Sequence, residues 1–234
     1  MTGPDQRAVA ARIPGAAALG LVPPPSAPVA PGSVLADPAW TAEVLRERAR
    51  SQGTGDRRLL ATVWWYSLSS VLLTPPLAGL ATGVPLSGRL ADTSVSFLPG
   101  PLPIAAAAGP GSGDVADELR ESIGAVVAAV AEAGGMRERP LWAIATDSLA
   151  NRLLDLGRAL GEVPRATAMA GDLASGIGPA LPVPRYEDVA GVRFTRRASC
   201  CLLCEVPRQV MCTSCPRRPP AERLRLLGEA ARRF

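Results

Sequence analysis

The sequence predicts an α+β fold, mainly helical. It is read as a helical core domain with a small strand component and a C-terminal cysteine-rich segment. Three observations predict this. Apolar residues recur at helical spacing through several long stretches. Strand-like alternation is confined to short runs. All five cysteines fall between residues 200 and 215.

Residues 1–36 are rich in Ala, Pro and Gly without a clean period, and are expected to be extended or partly disordered. Asp37–Pro38 reads as an N-cap with proline at the first helical position. A helix should follow to about Gln52, with Trp40, Val44 and Leu45 inward and Gly53 and Gly55 ending it. Asp56 can cap a second helix through Leu59, Leu60, Val63 and Trp64 to about Leu73, where Pro75 and Pro76 are expected to break it. Its lack of charge points to burial on most sides. Residues 84–98 suggest one or two strands, and 99–113 a Pro/Gly/Ala loop.

Asp114 opens an amphipathic helix carrying Val115, Leu119, Ile123, Val126 and Val130, stopped at Gly134–Gly135. Pro140 begins another, with Ala145, Leu149, Leu153, Leu156 and Leu160 on one stripe. Asp147, Arg152 and Asp155 are expected on its solvated face, paired locally. A shorter helix near 165–175, a strand over 191–195 and a last helix after Pro219–Pro220 complete the chain. That helix should present Leu224, Leu227, Ala231 and Phe234 on one face. The organisation expected is 1–36, a helical core over 37–190, and a segment over 191–234 holding the cysteines and the final helix.

Composition narrows the chemistry. Apolar residues make up 47% of the 234, enough for a buried core. There is no His and no Lys, so every basic side chain is Arg. This excludes a Ser–His–Asp triad, a His-based zinc protease, a Rieske centre, a Schiff-base lysine and a P-loop lysine. Ten Arg against three Glu give residues 191–234 a net charge of +7, whereas the whole chain is +4. The basic character therefore belongs to the segment with the cysteines. The apolar patch at 16–22 is short and broken, so no signal peptide is expected, and the uncharged run from Leu59, interrupted at the prolines below bilayer-spanning length, is expected to be a buried helix. A cytoplasmic location without stable membrane insertion is expected, and five clustered cysteines then suggest metal binding in preference to disulfides.

Two sets of four thiolates can be drawn. Cys200, Cys201, Cys212 and Cys215, spaced C-C-x10-C-x2-C, suit a 2Fe–2S cluster with two ligands on each iron. Adjacent cysteines diverge in an extended strand, so this set needs a bend. Cys201, Cys204, Cys212 and Cys215, spaced C-x2-C-x7-C-x2-C, suit a tetrahedral structural zinc. On spacing alone the balance tips slightly to zinc, and the basic surround would then suggest a binding module in contact with nucleic acid.

The stretch from Arg197 to Pro216, with C-C-x10-C-x2-C near the C-terminus, resembles the FhuF-type ferric-siderophore reductases of bacteria. Pro140-Leu141-Trp142 opening a helix some sixty residues upstream, and the Trp-bearing helix from residue 59, are similar in layout. The resemblance covers residues 40–234 weakly. Cys204 departs from it, standing where an aromatic residue is expected.

The resemblance implies a 2Fe–2S cluster on Cys200, Cys201, Cys212 and Cys215, with Cys204 as an alternative ligand. It further implies an oxidoreductase that passes single electrons to Fe(III) in a hydroxamate-type siderophore. Its partners would be the ferric siderophore and an electron donor such as a ferredoxin or reductase, with no nucleic acid. An iron–sulfur carrier with another acceptor is the remaining alternative. Arg193, Arg196, Arg197 and Arg208 lie nearest the cysteines in sequence. They are candidates to favour the reduced state, dock an acidic donor or steer an anionic complex, against the alternative of solvated surface charges. Trp64, Trp65 and Tyr66 could line a substrate pocket and Trp142 could contact the siderophore, but all four read first as core residues; Glu205 could tune the potential, with an exposed loop charge as the default.

Overall fold

The computed structural model describes residues 2–233. The elements run α1 (Pro4–Arg12), β1 (Val29–Pro31), α2 (Pro38–Gln52), α3 (Arg57–Thr82), β2 (Thr93–Leu98) and β3 (Leu102–Ala108). They continue through α4 (Val115–Gly134), α5 (Arg139–Leu160), α6 (Val163–Ile177), β4 (Tyr186–Val189), β5 (Val192–Thr195) and α7 (Pro220–Ala231). The α+β, mainly helical class expected from the sequence is the one observed. Among the described residues, no helix is long and apolar enough to cross a membrane.

The helix starts follow local chemistry. Asp37 accepts from the amide of Ala39, Asp56 from that of Leu59, and Asp114 from those of Ala116 and Asp117. Each satisfies backbone donors that have no partner inside the first turn. Gly53, Gly83, Gly135 and Gly161 end α2, α3, α4 and α5 in the left-handed conformation.

Four local expectations are corrected. The N-terminal segment is not extended throughout: it forms α1 and β1, and buries Val9, Ile13, Leu21 and Leu35 in the main core. Helix α3 is not broken at Pro75–Pro76 but continues to Thr82. The two prolines remove the amides that would bond the carbonyls of Val71 and Leu72, a cost that ends an isolated helix. Here Leu72, Leu73, Leu77 and Ala78 are buried on both sides of the lesion, and that packing outweighs it. The loop expected over 99–113 contains β3, whose Ala105–Ala108 run is buried between α3 and its neighbours. Finally, Leu224 is 45% exposed, while Leu227 and Ala231 are buried as expected; Phe234 lies outside the described residues.

The three-stranded antiparallel sheet has the order β1-β2-β3, with an irregularity between Ser96 and Phe97. Alanine is a poor strand former. What holds β3 is a side chain from α1. Gln6 donates to the carbonyls of Leu21 (2.9 Å) and Ala106 (2.8 Å) and accepts from the amide of Ala108 (2.6 Å), and the Gly20 carbonyl accepts from the Ala106 amide (3.1 Å), so together they stand in for a fourth strand at this edge.

Gly32 follows β1, and here close approach demands glycine. A Cβ at this position would lie 2.4 Å from the Leu90 carbonyl oxygen and 2.9 Å from that of Thr93. Gly32→Ala is expected to destabilise by about 1–3 kcal/mol, read as a lower urea midpoint at unchanged slope. An unchanged midpoint would show that the turn can give way.

Helix α3 is the central post, packed against α5, α4 and β3. Trp64 and Trp65 are fully buried on it, and the Trp65 indole donates to the Leu141 carbonyl on α5 at 2.8 Å. Ser69 of α3 and Ser148 of α5 lie 2.7 Å apart, oxygen to oxygen. These contacts set the register of α5 against α3, and so the position of Asp147, the residue preceding Ser148. The β4–β5 hairpin turns through Ala190 (φ 51°) and Gly191 (φ 79°), the two-residue loop with positive φ at both positions that suits strand twist. It delivers the chain to the cysteine loop.

Candidate metal centre

The cysteines lie on the loop between β5 and α7. The loop rests on the first turns of α3, where Val206 packs with Leu59 and Val63 in a small separate apolar cluster. Its beginning is anchored by Asp147, which is only 1% exposed. One carboxylate oxygen accepts from the Ala198 amide (2.7 Å). The other accepts from the Ser199 amide (3.1 Å), the Ser199 hydroxyl (2.9 Å) and Arg197 Nε (3.3 Å). An isolated buried carboxylate is strongly unfavourable; this one is held by four donors and a counter-charge. Asp147 was expected on a solvated helix face, and the structure corrects this. Arg152 and Asp155 do pair on that helix, at 3.0 Å.

Arg197, 7% exposed, carries the anchor to the sulfurs. Its Nη1 donates to Cys212 Sγ at 3.4 Å and to Cys201 Sγ at 3.7 Å. Its guanidinium carbon lies 5.1 Å from the centroid of the Tyr66 ring. Burial acts to lower the Arg197 pKa, but Cys201, Tyr66, Asp147 and Cys212 together outweigh it and hold the group above its ordinary value. Arg197 is therefore a permanent buried cation shared between a carboxylate and two sulfurs. Of the four arginines picked out by sequence proximity, it alone hydrogen-bonds a sulfur. Arg193 makes a bidentate pair with Asp188 (2.9 and 3.0 Å), while Arg196 and Arg208 are exposed.

Two turns shape the sulfur array. The bend required after the adjacent cysteines is made at Leu202, in the left-handed region at φ 59°, followed by a 3-10 turn at Leu203–Glu205. The second turn closes when the Cys215 amide donates to the Cys212 carbonyl at 3.2 Å. Arg218 braces it by donating to the carbonyls of Cys212 (2.9 Å) and Met211 (2.6 Å). Cys201 and Cys215 are buried, at 4% and 2% exposure; Cys200, Cys204 and Cys212 are partly exposed. Arg217 reaches over the outer side and pairs with Glu205. Glu205 first, and then Cys200, raise its pKa.

All five cysteines are free thiols. Cys200 Sγ and Cys215 Sγ are 3.7 Å apart. Two thiolates bound tetrahedrally to one metal through bonds of about 2.3 Å stand roughly 3.8 Å from one another, so this pair has the separation of co-ligands. Cys201 and Cys212 share one donor, the Arg197 Nη1. Cys204 lies beside Cys200. Among the described residues, no group of three or more His, Cys, Asp or Glu side chains is gathered so as to hold a metal ion. Burial, and then the neighbouring sulfurs of Cys215 and Cys201, push the Cys200 thiol up, and burial does the same at Cys204. Thiols crowded in this way resist ionising together unless a cation is supplied. An all-thiol donor set with no imidazole suits iron–sulfur or zinc, and disfavours the hard cations.

The signal for Asp147 was present but ambiguous: an acid three residues from both Ile144 and Ala150 in an apolar helix. The bracing role of Arg218 had no local signal. Trp64, Trp65 and Trp142 are core residues, as expected; Tyr66 also packs against the core and in addition lies beneath Arg197.

The fold and site together define a mainly helical α+β protein that presents a cysteine-rich loop on a buried Asp–Arg anchor. No family model and no curated protein compared with the chain matches it.

Proposed function

We propose that the protein is a 2Fe–2S oxidoreductase that passes single electrons to ferric iron in a siderophore, with Cys200, Cys201, Cys212 and Cys215 as cluster ligands. The observation that carries this reading is the 3.7 Å separation of the Cys200 and Cys215 sulfurs beside Cys201 and Cys212, which share the Arg197 donor. A two-iron cluster takes two thiolates at each iron. Such a cluster supplies one electron at a time at a potential set by its surroundings.

The chain's own residues have definable parts in this. Arg197 places positive charge against Cys201 and Cys212 and Arg217 against Cys200, which favours a site that gains negative charge on reduction. Asp147 holds Arg197 in place. Burial of Cys201 and Cys215 keeps water from one side, while Cys200 and Cys212 leave an open side for electron exchange with a donor such as a ferredoxin and with the ferric complex. The substrate needs no proton chemistry. Siderophore oxygens suit Fe(III) far better than Fe(II), so one added electron releases the metal, and a chain without His or Lys suffices. The resemblance of residues 197–216 to the FhuF-type reductases supports the same assignment, and reduced thiols fit a cytoplasmic setting.

The test is anaerobic purification followed by iron, sulfide and zinc analysis and a visible spectrum. The expected result is two irons and two sulfides per chain, with absorption that dithionite bleaches and ferric siderophore restores as Fe(II) appears in a chelator trap. Cys204→Ser should keep the spectrum, and Cys200→Ser should lose it. Stoichiometric zinc without iron, or the opposite behaviour of those two variants, would refute the ligand assignment in favour of a zinc-stabilised module. Absence of reoxidation by a panel of ferric siderophores would leave an iron–sulfur carrier with another acceptor.

A further inference from the structure

We infer that a second, anion-binding site adjoins the cysteine loop and takes a small multivalent oxyanion bearing carboxylate or phosphate groups. The site is a cavity of about 240 Å³ lined by Arg185, Arg196, Arg197, Arg218, Arg223 and Ser214. Among the described residues, no acidic side chain lines it. Its size lies below the usual range for drug-sized ligands, about 300–1,000 Å³, and suits a compact anion or one arm of a larger ligand.

The charges there are not balanced internally. Arg197 is countered by Asp147, Arg218 by Glu222 and Arg223 by Glu187. Arg185 and Arg196 have no carboxylate partner among the described residues. They are also placed against one another. The β4–β5 register pairs Tyr186 with Thr195, and the next rung joins the Arg196 amide to the Arg185 carbonyl at 2.9 Å. Like charges on facing positions of a hairpin repel, and an anion bridging them removes that repulsion.

A second observation is independent of the first. Arg197 lines the cavity, is 93% buried by its 7% exposure, and its Nη2 has no hydrogen-bond partner. Buried guanidinium donors are normally satisfied. Its other donors go to Asp147 and the sulfurs, so Nη2 is the one donor of this cavity-lining guanidinium left without a partner. The N-terminal residue of α7, Pro220, also lines the cavity, adding the positive end of a twelve-residue helix. The site does not depend on what the cysteines hold. Because Ser214 and Pro216 flank Cys215 and also line it, an anion bound there lies next to the sulfur array.

Isothermal titration of the full-length protein, as purified, with pyrophosphate and separately with citrate tests the proposal. One anion per chain is expected to bind, with affinity falling as salt rises. In Arg185→Gln/Arg196→Gln, whose side chains are exposed and unpaired, the dissociation constant should rise on the order of 100-fold for two lost charged hydrogen-bond donors, with an unchanged unfolding temperature. Arg208→Gln, in the same loop but outside the cavity, should bind as the parent does. Preference for citrate assigns a carboxylate ligand and preference for pyrophosphate a phosphate ligand, either one supporting the site. No binding at millimolar anion, or an equal loss in Arg208→Gln, overturns it. Metal content is measured on the same samples, so failure here is separable from failure of the iron–sulfur reading.

Discussion

Replacing Asp147 by Ala is expected to destabilise the protein by about 3–5 kcal/mol, the usual consequence of removing one partner from a buried ion pair. Arg197 would be left charged in a site 7% exposed, and the Ala198 amide, the Ser199 amide and the Ser199 hydroxyl would lose their acceptor. Those three donors sit on the two residues immediately before Cys200, so the start of the sulfur array loses its position as well. Urea unfolding reads the first effect, and, on the iron–sulfur reading, metal content of the purified variant reads the second. Adding Arg197→Leu should recover part of the stability, because a buried pair replaced by apolar groups is often neutral whereas half a pair is not. A single Asp147→Ala variant within about 1 kcal/mol of the parent and fully loaded with metal would mean that packing of Val206 on α3 alone holds the loop.

Replacing Arg197 by Gln is expected, on the iron–sulfur reading, to lower the reduction potential by on the order of 100 mV. A unit charge about 4 Å away, as the Nη1 contacts of 3.4 and 3.7 Å imply, at an effective dielectric near 20 contributes roughly 4 kcal/mol. For one electron, about 59 mV corresponds to a tenfold change in equilibrium constant. The sign follows from charge: reduction adds negative charge, the guanidinium stabilises it, and its removal also leaves the Asp147 carboxylate uncompensated nearby. Arg197→Lys keeps the charge but not the shared contact of Nη1 to Cys201 and Cys212, and should recover most of the potential. Spectroelectrochemical titration of both variants is the measurement. An equal potential in parent and Arg197→Gln would remove Arg197 from the electrostatics of the site and leave it a purely structural role. Arg193→Gln, whose partner is Asp188, should leave the potential nearly unchanged.

Parts of this molecule were legible in the chain because they depend on neighbours in sequence. The starts of α2, α3 and α4 follow from Asp37, Asp56 and Asp114, each bonding an amide two or three residues away. The inward faces of α4 and α5 follow from period alone, and Leu119, Ile123, Val126, Leu149 and Leu153 are all buried. Strand β3 was not legible: a run of four alanines carries no strand preference, and Gln6, which completes its edge, lies 100 residues away along the chain from Ala106. The same holds for the persistence of α3 through two prolines, which packing on both sides permits and local sequence forbids. Strand β4 was hidden because Glu187 and Asp188 are poor strand formers, tolerated on a short exposed hairpin.

The candidate site divides in the same way. The number of cysteines, their two possible ligand sets, the absence of His and Lys and the basic character of residues 191–234 are properties of the chain by itself, since spacing and composition do not depend on folding. Which arginine meets the sulfurs, and that a helix residue 50 positions upstream of Arg197 holds it there, were decided only by tertiary structure. The reason is energetic. An aspartate and an arginine on the surface are interchangeable with their neighbours, but once packing of α3 on α5 and of the β4–β5 hairpin brings Asp147 and Arg197 out of water, each requires the other. That requirement places the guanidinium against Cys201 and Cys212.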